Sequence, residues 1–145
     1  MNATELPDSL AEIRDDFLDL DVKERLQLLL EFSNELPQLP ERYQDHPDLF
    51  ERVEECQSPI FIVVEVDSDQ AVHLFATAPA EAPTTRGFAS ILVQGIEGLS
   101  VSQVLGLADD YPSMLGLTAA VSPLRIRGMT AMLARIKRQV RERAA

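Results

Sequence analysis

The run Ile60–Val66, IFIVVEV, constrains the fold of this chain more than any other segment. It is rich in β-branched residues and almost wholly apolar, so it reads as a central strand covered on both faces. An exposed edge strand of that composition would invite aggregation. Asp67-Ser68-Asp69-Gln70 is a turn sequence, and Ala71–Ala76 returns as a second strand, making a hairpin. A short strand around Arg52–Glu54 adds a third member to the sheet.

Helical patterns occupy most of the remaining chain. Asp8 is placed to cap a first helix with Leu10, Ile13, Phe17 and Leu18 at helical spacing. Asp21 and Glu24 approximate a capping box for a second helix burying Leu26, Leu29, Leu30 and Phe32, and Pro37 ends it. The stretch Pro37–Pro47 reads as an ordered connection without apolar period. Beyond the breaks at Pro79 and Pro83, Thr84 or Thr85 caps a helix through Phe88, Ile91, Leu92 and Ile96, with Gly95 and Gly98 marking its end. Ser100 with Gln103 forms a capping box for a short helix ending near Ala108. Ser122 and Pro123 open a last helix, running to about residue 142, whose apolar face is Met129, Met132, Leu133 and Ile136. The expected class is α+β, a small antiparallel sheet of about three strands with helices packed against it.

At 145 residues, with 46% apolar and 26% charged residues, the chain reads as one soluble globular domain spanning 1–145. No apolar run approaches the roughly 18 residues of a membrane helix, and MNATELPDSLAEIRDD lacks the basic start and apolar core of a signal peptide. A cytoplasmic protein without membrane contact is expected. The net charge of −11 argues against nucleic acid as a partner. That charge is uneven: residues 1–55 carry −11, residues 56–121 carry −6, and residues 122–145 carry +6. The acidic body and the basic last helix either pair with each other or leave one surface for a partner.

Few residues invite chemistry. His46 and His73 are the only histidines, and no H-x-x-x-H, C-x-x-C or G-x-S-x-G spacing occurs. No metal and no cofactor is expected, and the phosphate-cradling glycine patterns are missing as well. Cys56 is the single cysteine, in RVEECQSPIFIVV, just before the central strand. A free cysteine is often an inert buried apolar residue. Against that stand its polar loop surroundings and the rigid strand that follows, a usual setting for a positioned nucleophile. Glu54 and Glu55 precede it, and neighbouring negative charge raises a thiol pKa. An acceptor thiol activated by a partner fits this setting better than a self-activated one.

Cys56-Gln57-Ser58 ahead of an apolar strand resembles the cysteine loop of the SufE family of sulfur acceptors. The resemblance extends along nearly the whole chain. ERLQLLLEFSNELPQLP, residues 24–40, is similar to the family's second helix and its Leu-Pro-x-Leu ending. Arg86-Gly87-Phe88 lies where the family places a glycine in the helix after the sheet. Residues 115–137, LGLTAAVSPLRIRGMTAMLARIK, resemble its Leu-Gly-Leu, Ser-Pro-x-Arg and Gly-x-x-x-Met pattern. Two departures stand out. Glu55 occupies the usual glycine position before the cysteine, and Ala80-Glu81-Ala82-Pro83 replaces Asp-Ser-Asp-Ala.

The resemblance implies a SufE/IscU-like fold and a sulfur relay for iron–sulfur cluster assembly. A PLP-dependent cysteine desulfurase makes a persulfide on its own cysteine, and the acceptor takes the sulfane sulfur and passes it toward an iron–sulfur scaffold complex. By position, Cys56 is the acceptor, Gln57 and Ser58 shape its loop, and Arg125 matches the arginine of the C-terminal motif. Such a protein stimulates the desulfurase rather than acting as a stand-alone enzyme, and is expected as a monomer or weak dimer. Two alternatives are a redox-sensing or regulatory binding protein of the same fold, and an interaction module in which Cys56 is merely buried.

Overall fold

Phe61–Val66 forms the central strand β2 of a three-stranded antiparallel sheet, between β1 (Glu51–Arg52) and β3 (Val72–Thr77). The structure is a computed structural model and describes residues 6–144. In the β2–β3 ladder, Ile62 faces Ala76, Val63 faces Phe75 and Val64 faces Leu74. Strand alternation sends Ile62, Val64, Leu74 and Ala76 to one face, where all are buried in the main core. The opposite face carries Val63, Glu65, His73 and Phe75, and the Pro37–Pro47 connection reaches over it. Within that connection the Tyr43 ring lies 5.1 Å from that of Phe75, and its hydroxyl donates to Glu65 at 2.5 Å. β2 is apolar on both faces because both are covered.

β1 is only two residues long, so it leaves the β2 edge open at Val64. The last helix closes that edge with side chains. The Val64 amide donates to Gln139 Oε1 at 2.8 Å, and Arg143 Nε donates to the Val64 carbonyl at 3.3 Å. An unpaired edge is thereby capped without another strand.

Among the described residues six α-helices complete the fold: α1 (Asp8–Leu18), α2 (Val22–Asn34), α3 (Pro83–Ile96), α4 (Val101–Leu105), α5 (Tyr111–Met114) and α6 (Pro123–Ala144). α3 is the central one, buried without a break from Gly87 to Val93. Gly87 permits its crossing with α2, since a Cβ there would lie 2.3 Å from the Leu29 carbonyl oxygen. α6 packs on β2, with Met129, Met132, Leu133 and Ile136 all buried. Part of the charge asymmetry is met within the chain: Arg135 and Arg138 of α6 pair with Glu51, and Lys137 pairs with Asp109.

Several local expectations are corrected. Asp8 is the first residue of α1, behind Pro7, and caps nothing. Neither Thr84 nor Thr85 caps α3, because Pro83 at its first position moves the start upstream, to Ala82. Gly95 lies inside α3, where a Cβ would be 2.3 Å from Leu10 Cδ2, and only Gly98, at φ +82°, marks the helix end. Leu18 is exposed and Leu30 only half-buried, while Ser33 joins the buried side of α2. The helix from Ser100 stops at Leu105 rather than near Ala108, and α5 follows as a separate short helix opened by Tyr111-Pro112. Both capping boxes, Asp21 with Glu24 and Ser100 with Gln103, are present.

Candidate functional site

Cys56 sits in the loop joining β1 to β2. The Val53 amide closes the base of that loop by donating to the Ile60 carbonyl at 2.9 Å, and the Cys56 amide donates to the Val53 carbonyl at 3.1 Å. These bonds turn the thiol inward: Cys56 is 8% exposed and belongs to the core cluster that also holds Ile60. Its seat is on α6. A Cβ added to Gly128 would lie 3.0 Å from Cys56 Sγ and 3.7 Å from both Cys56 Cα and the Glu55 carbonyl oxygen. Only the missing side chain lets the loop approach so closely.

A small cleft of about 40 Å³ remains beside the thiol, lined by Gln57, Ser58, Thr85, Leu124 and Arg125 together with Cys56. A water-sized sphere needs roughly 10–15 Å³ on the same measure, so there is room for a few heavy atoms and no more. The structure thus brings Cys56, Gln57, Ser58 and Arg125 to one place. Arg125, exposed in the first turn of α6, donates through Nη1 to Thr84 Oγ1. That contact stands just beyond the Ala80–Pro83 segment. Glu55 needs no left-handed backbone, since Asp45 and Gln70 are the described non-glycine residues at positive φ.

The electrostatics favour a protonated thiol. Burial first, and the Glu55 carboxylate second, push the Cys56 pKa up to about 11, with Arg135 acting weakly the other way. Arg135 holds Glu55 below the usual carboxylate range by donating from Nε to Oε1 at 2.8 Å and from Nη2 to Oε2 at 3.3 Å. Its Nη1 donates to Glu51 at 2.6 Å. Burial opposes the charge of Glu51, but hydrogen bonds from Gln139, Arg135 and Arg138 outweigh it and keep that carboxyl low. The cation that answers Glu55 in this arrangement is therefore Arg135, not Arg125.

No histidine reaches the thiol's cleft. His73 bridges Asp67 at 2.9 Å and Glu97 at 2.5 Å, and His46 lines a separate cleft beside Phe50 and Phe61. A roomier cleft of about 440 Å³ includes Tyr43, Glu65, His73 and Arg143, and Cys56 is not among its lining residues. Its acids are already paired, Glu65 with Arg42 and Tyr43, Asp67 with His73. Among the described residues no three His, Cys, Asp or Glu side chains are grouped to hold a metal.

A family model described as "SufE: Fe-S metabolism associated domain" matches residues 11–140. The chain belongs to the SufE family. It is 50% identical over 137 residues to an uncharacterized SufE-like protein of Mycobacterium tuberculosis, covering 94% of each chain. It is 28% identical over 130 residues to SufE-like protein 1 of Arabidopsis thaliana, chloroplastic/mitochondrial, covering 89% of this chain and 34% of that one. The solution structure of a hypothetical protein from Thermus thermophilus superposes with a TM-score of 0.83 at 35% identity, covering 97% of this chain and 98% of that one. Membership in the SufE family associates the chain with iron–sulfur metabolism. No described helix is long and apolar enough to cross a membrane.

The loop sequence does not assign Gly128, Arg135, Thr85 or Leu124 to this SufE-family site. Gly128 carried a signal, because a glycine inside a helix costs about 1 kcal/mol against alanine and so implies a close approach. Arg135 carried none, since only the tertiary structure sets it opposite Glu55.

Proposed function

We propose that this protein is a sulfur acceptor in which Cys56 receives sulfane sulfur from a PLP-dependent cysteine desulfurase and passes it on for iron–sulfur cluster assembly. The observation that carries the proposal is the seating of the chain's only thiol, inward against Gly128, beside a cleft with room for an added sulfur atom. The Cys56 thiol gives up its proton, and its sulfur attacks the terminal sulfur of the donor's cysteine persulfide. The donor's sulfur–sulfur bond breaks as the new one forms on Cys56. The donor cysteine leaves as a thiolate and takes up a proton, so the exchange involves no net oxidation. Gln57 and Ser58 shape the loop, and Arg125 supports the mouth of the cleft. The working location is the cytoplasm, and the second partner is the scaffold complex.

A redox-sensing role fits less well. Sensor cysteines are accessible and have a low pKa, whereas Cys56 is buried and its pKa is raised.

Incubation with a desulfurase and cysteine, followed by intact mass measurement, is the test. One or more sulfur atoms added to Cys56 is the expected result. Cys56→Ser should abolish both loading and stimulation while changing desulfurase affinity by less than about threefold, because binding energy concentrates in a few large anchors such as Trp, Tyr and Arg and a one-atom change at a small side chain removes none of them. Stimulation that survives in the serine variant would refute the relay.

A further inference from the structure

Arg135 stands two helical turns beyond Gly128 on α6 and grips the residue immediately before the thiol. It offers Nε and Nη2 to the two oxygens of Glu55 at 2.8 and 3.3 Å, while Nη1 holds Glu51 on β1 at 2.6 Å. A forked pair of this kind fixes orientation as well as distance. We propose that the Glu55–Arg135 pair is a latch that keeps Cys56 in its seat, which makes Arg135 a positioning residue for sulfur acceptance.

The two ends of the pair are unequally anchored. Glu51 sits in the sheet and also accepts from Gln139 at 2.8 Å and from Arg138. Among the described residues the Glu55 carboxylate, apart from its own backbone amide, is hydrogen-bonded to Arg135 alone. When the loop opens, Arg135 therefore stays neutralised by Glu51, and the charge left without a partner is Glu55, on the moving segment. A protein that opens the loop does so most easily by offering Glu55 a cation, so the docking face implied is basic next to its sulfur-donating group. The consequence for transfer rests on the acceptor role proposed above, but the latch is a property of the free protein.

Arg135→Gln separates two effects of opposite sign. The Arg135 charge favours the Cys56 thiolate, so losing that charge alone would slow alkylation by neutral iodoacetamide. Losing the latch would speed it. The expected net result at fixed pH is alkylation about three- to tenfold faster. Deuterium uptake at the Cys56 amide, which is bonded to the Val53 carbonyl and is not governed by thiol ionisation, should be faster too. Arg135→Lys, which keeps the charge with a single point of contact, should fall between wild type and Arg135→Gln. Glu55→Gln breaks the pair from its exposed side and should also raise the uptake. Alkylation and uptake no faster in Arg135→Gln, a lysine variant as fast as the glutamine one, or unchanged uptake in Glu55→Gln would each overturn the latch. Failure of wild type to gain sulfur from the desulfurase would instead overturn the acceptor role and leave these measurements standing.

Discussion

Gly128→Ala tests the seat of the thiol directly, because it sets two known effects against each other. In a helix interior alanine is better than glycine by about 1 kcal/mol. The new methyl, however, would lie 3.0 Å from Cys56 Sγ, inside comfortable contact. Overpacking of this kind costs about 1–3 kcal/mol where neighbours cannot move. Here the neighbour is a side chain on a loop, and the nearest loop backbone atoms are at an ordinary 3.7 Å. The strain is relieved by lifting the loop, so the helix keeps its gain. Global stability should stay within about 1 kcal/mol of wild type, or roughly 2–4 °C in Tm. The loop equilibrium should shift by about 1–2 kcal/mol, a factor of about 5–30. Iodoacetamide labelling at fixed pH reads that factor, and thermal unfolding reads the global term. A full rise in Tm with unchanged labelling would show that no thiol occupies the space over Gly128.

Gly87→Ala is the contrasting variant: its Cβ would meet the Leu29 backbone oxygen at 2.3 Å, which cannot swing away. It should lower stability by about 2–4 kcal/mol in denaturant titrations while leaving Cys56 labelling of the folded protein unchanged. In the free wild-type protein, labelling should keep rising about tenfold per pH unit beyond pH 8.5, because burial and Glu55 hold the thiol protonated to about 11; a plateau near pH 8.5 would contradict the buried seat. His73 has its pKa raised by Asp67 and then Glu97, so its contribution to stability is complete below the unfolded value of about 6.5 and is lost as pH rises through the higher folded value. The Tm difference between wild type and His73→Asn should therefore be larger at pH 5.5 than at pH 9, and a difference independent of pH would refute the assignment.

The parts of this fold legible in the sequence are those set by local chemistry. The β-branched run at 60–66, the Asp67–Gln70 turn and the two capping boxes each carry their own signal, and each is present. The apolar spacing of α6 was equally plain. What local chemistry does not encode is crossing geometry. Gly95 lies at the last turn of α3, where a glycine reads as a helix end, yet Leu10 of α1 needs its missing side chain. Thr84 has the residue type of a cap but takes a hydrogen bond from Arg125 instead, because Pro83 had already fixed the start of the helix. Cys56 stands out from its own polar loop ahead of a rigid strand, Gln57, Ser58 and Arg125 only through family resemblance, and the four line one cleft. The opposition of Glu55 and Arg135 joins residues 80 apart in sequence, and only the packed fold brings them together.

A thiol kept protonated is a poor nucleophile, so an acceptor built this way must acidify Cys56 in the same step that exposes it. Desolvation is the leading cause of its pKa near 11, and opening the loop removes that cause at once. At 1.36 kcal/mol per pKa unit the whole shift is worth roughly 3 kcal/mol; solvating the thiolate recovers the larger share and a cation offered to Glu55 the rest. At pH 7.5 the seated thiol is ionised in about one molecule in 3,000, and an ordinary exposed thiol in about one in ten. An opening that costs about 3 kcal/mol therefore leaves the free protein scarcely more reactive than one that never opens, and oxidants find little thiolate to attack. A donor that drives the opening by docking recovers a factor of a few hundred in thiolate. No general base is needed for that gain, which agrees with the placement of His46 and His73 outside the cleft of the thiol. For the acceptor role proposed above, protection and activation would follow from the same seat, Cys56 held against Gly128 with Glu55 on Arg135, made or broken.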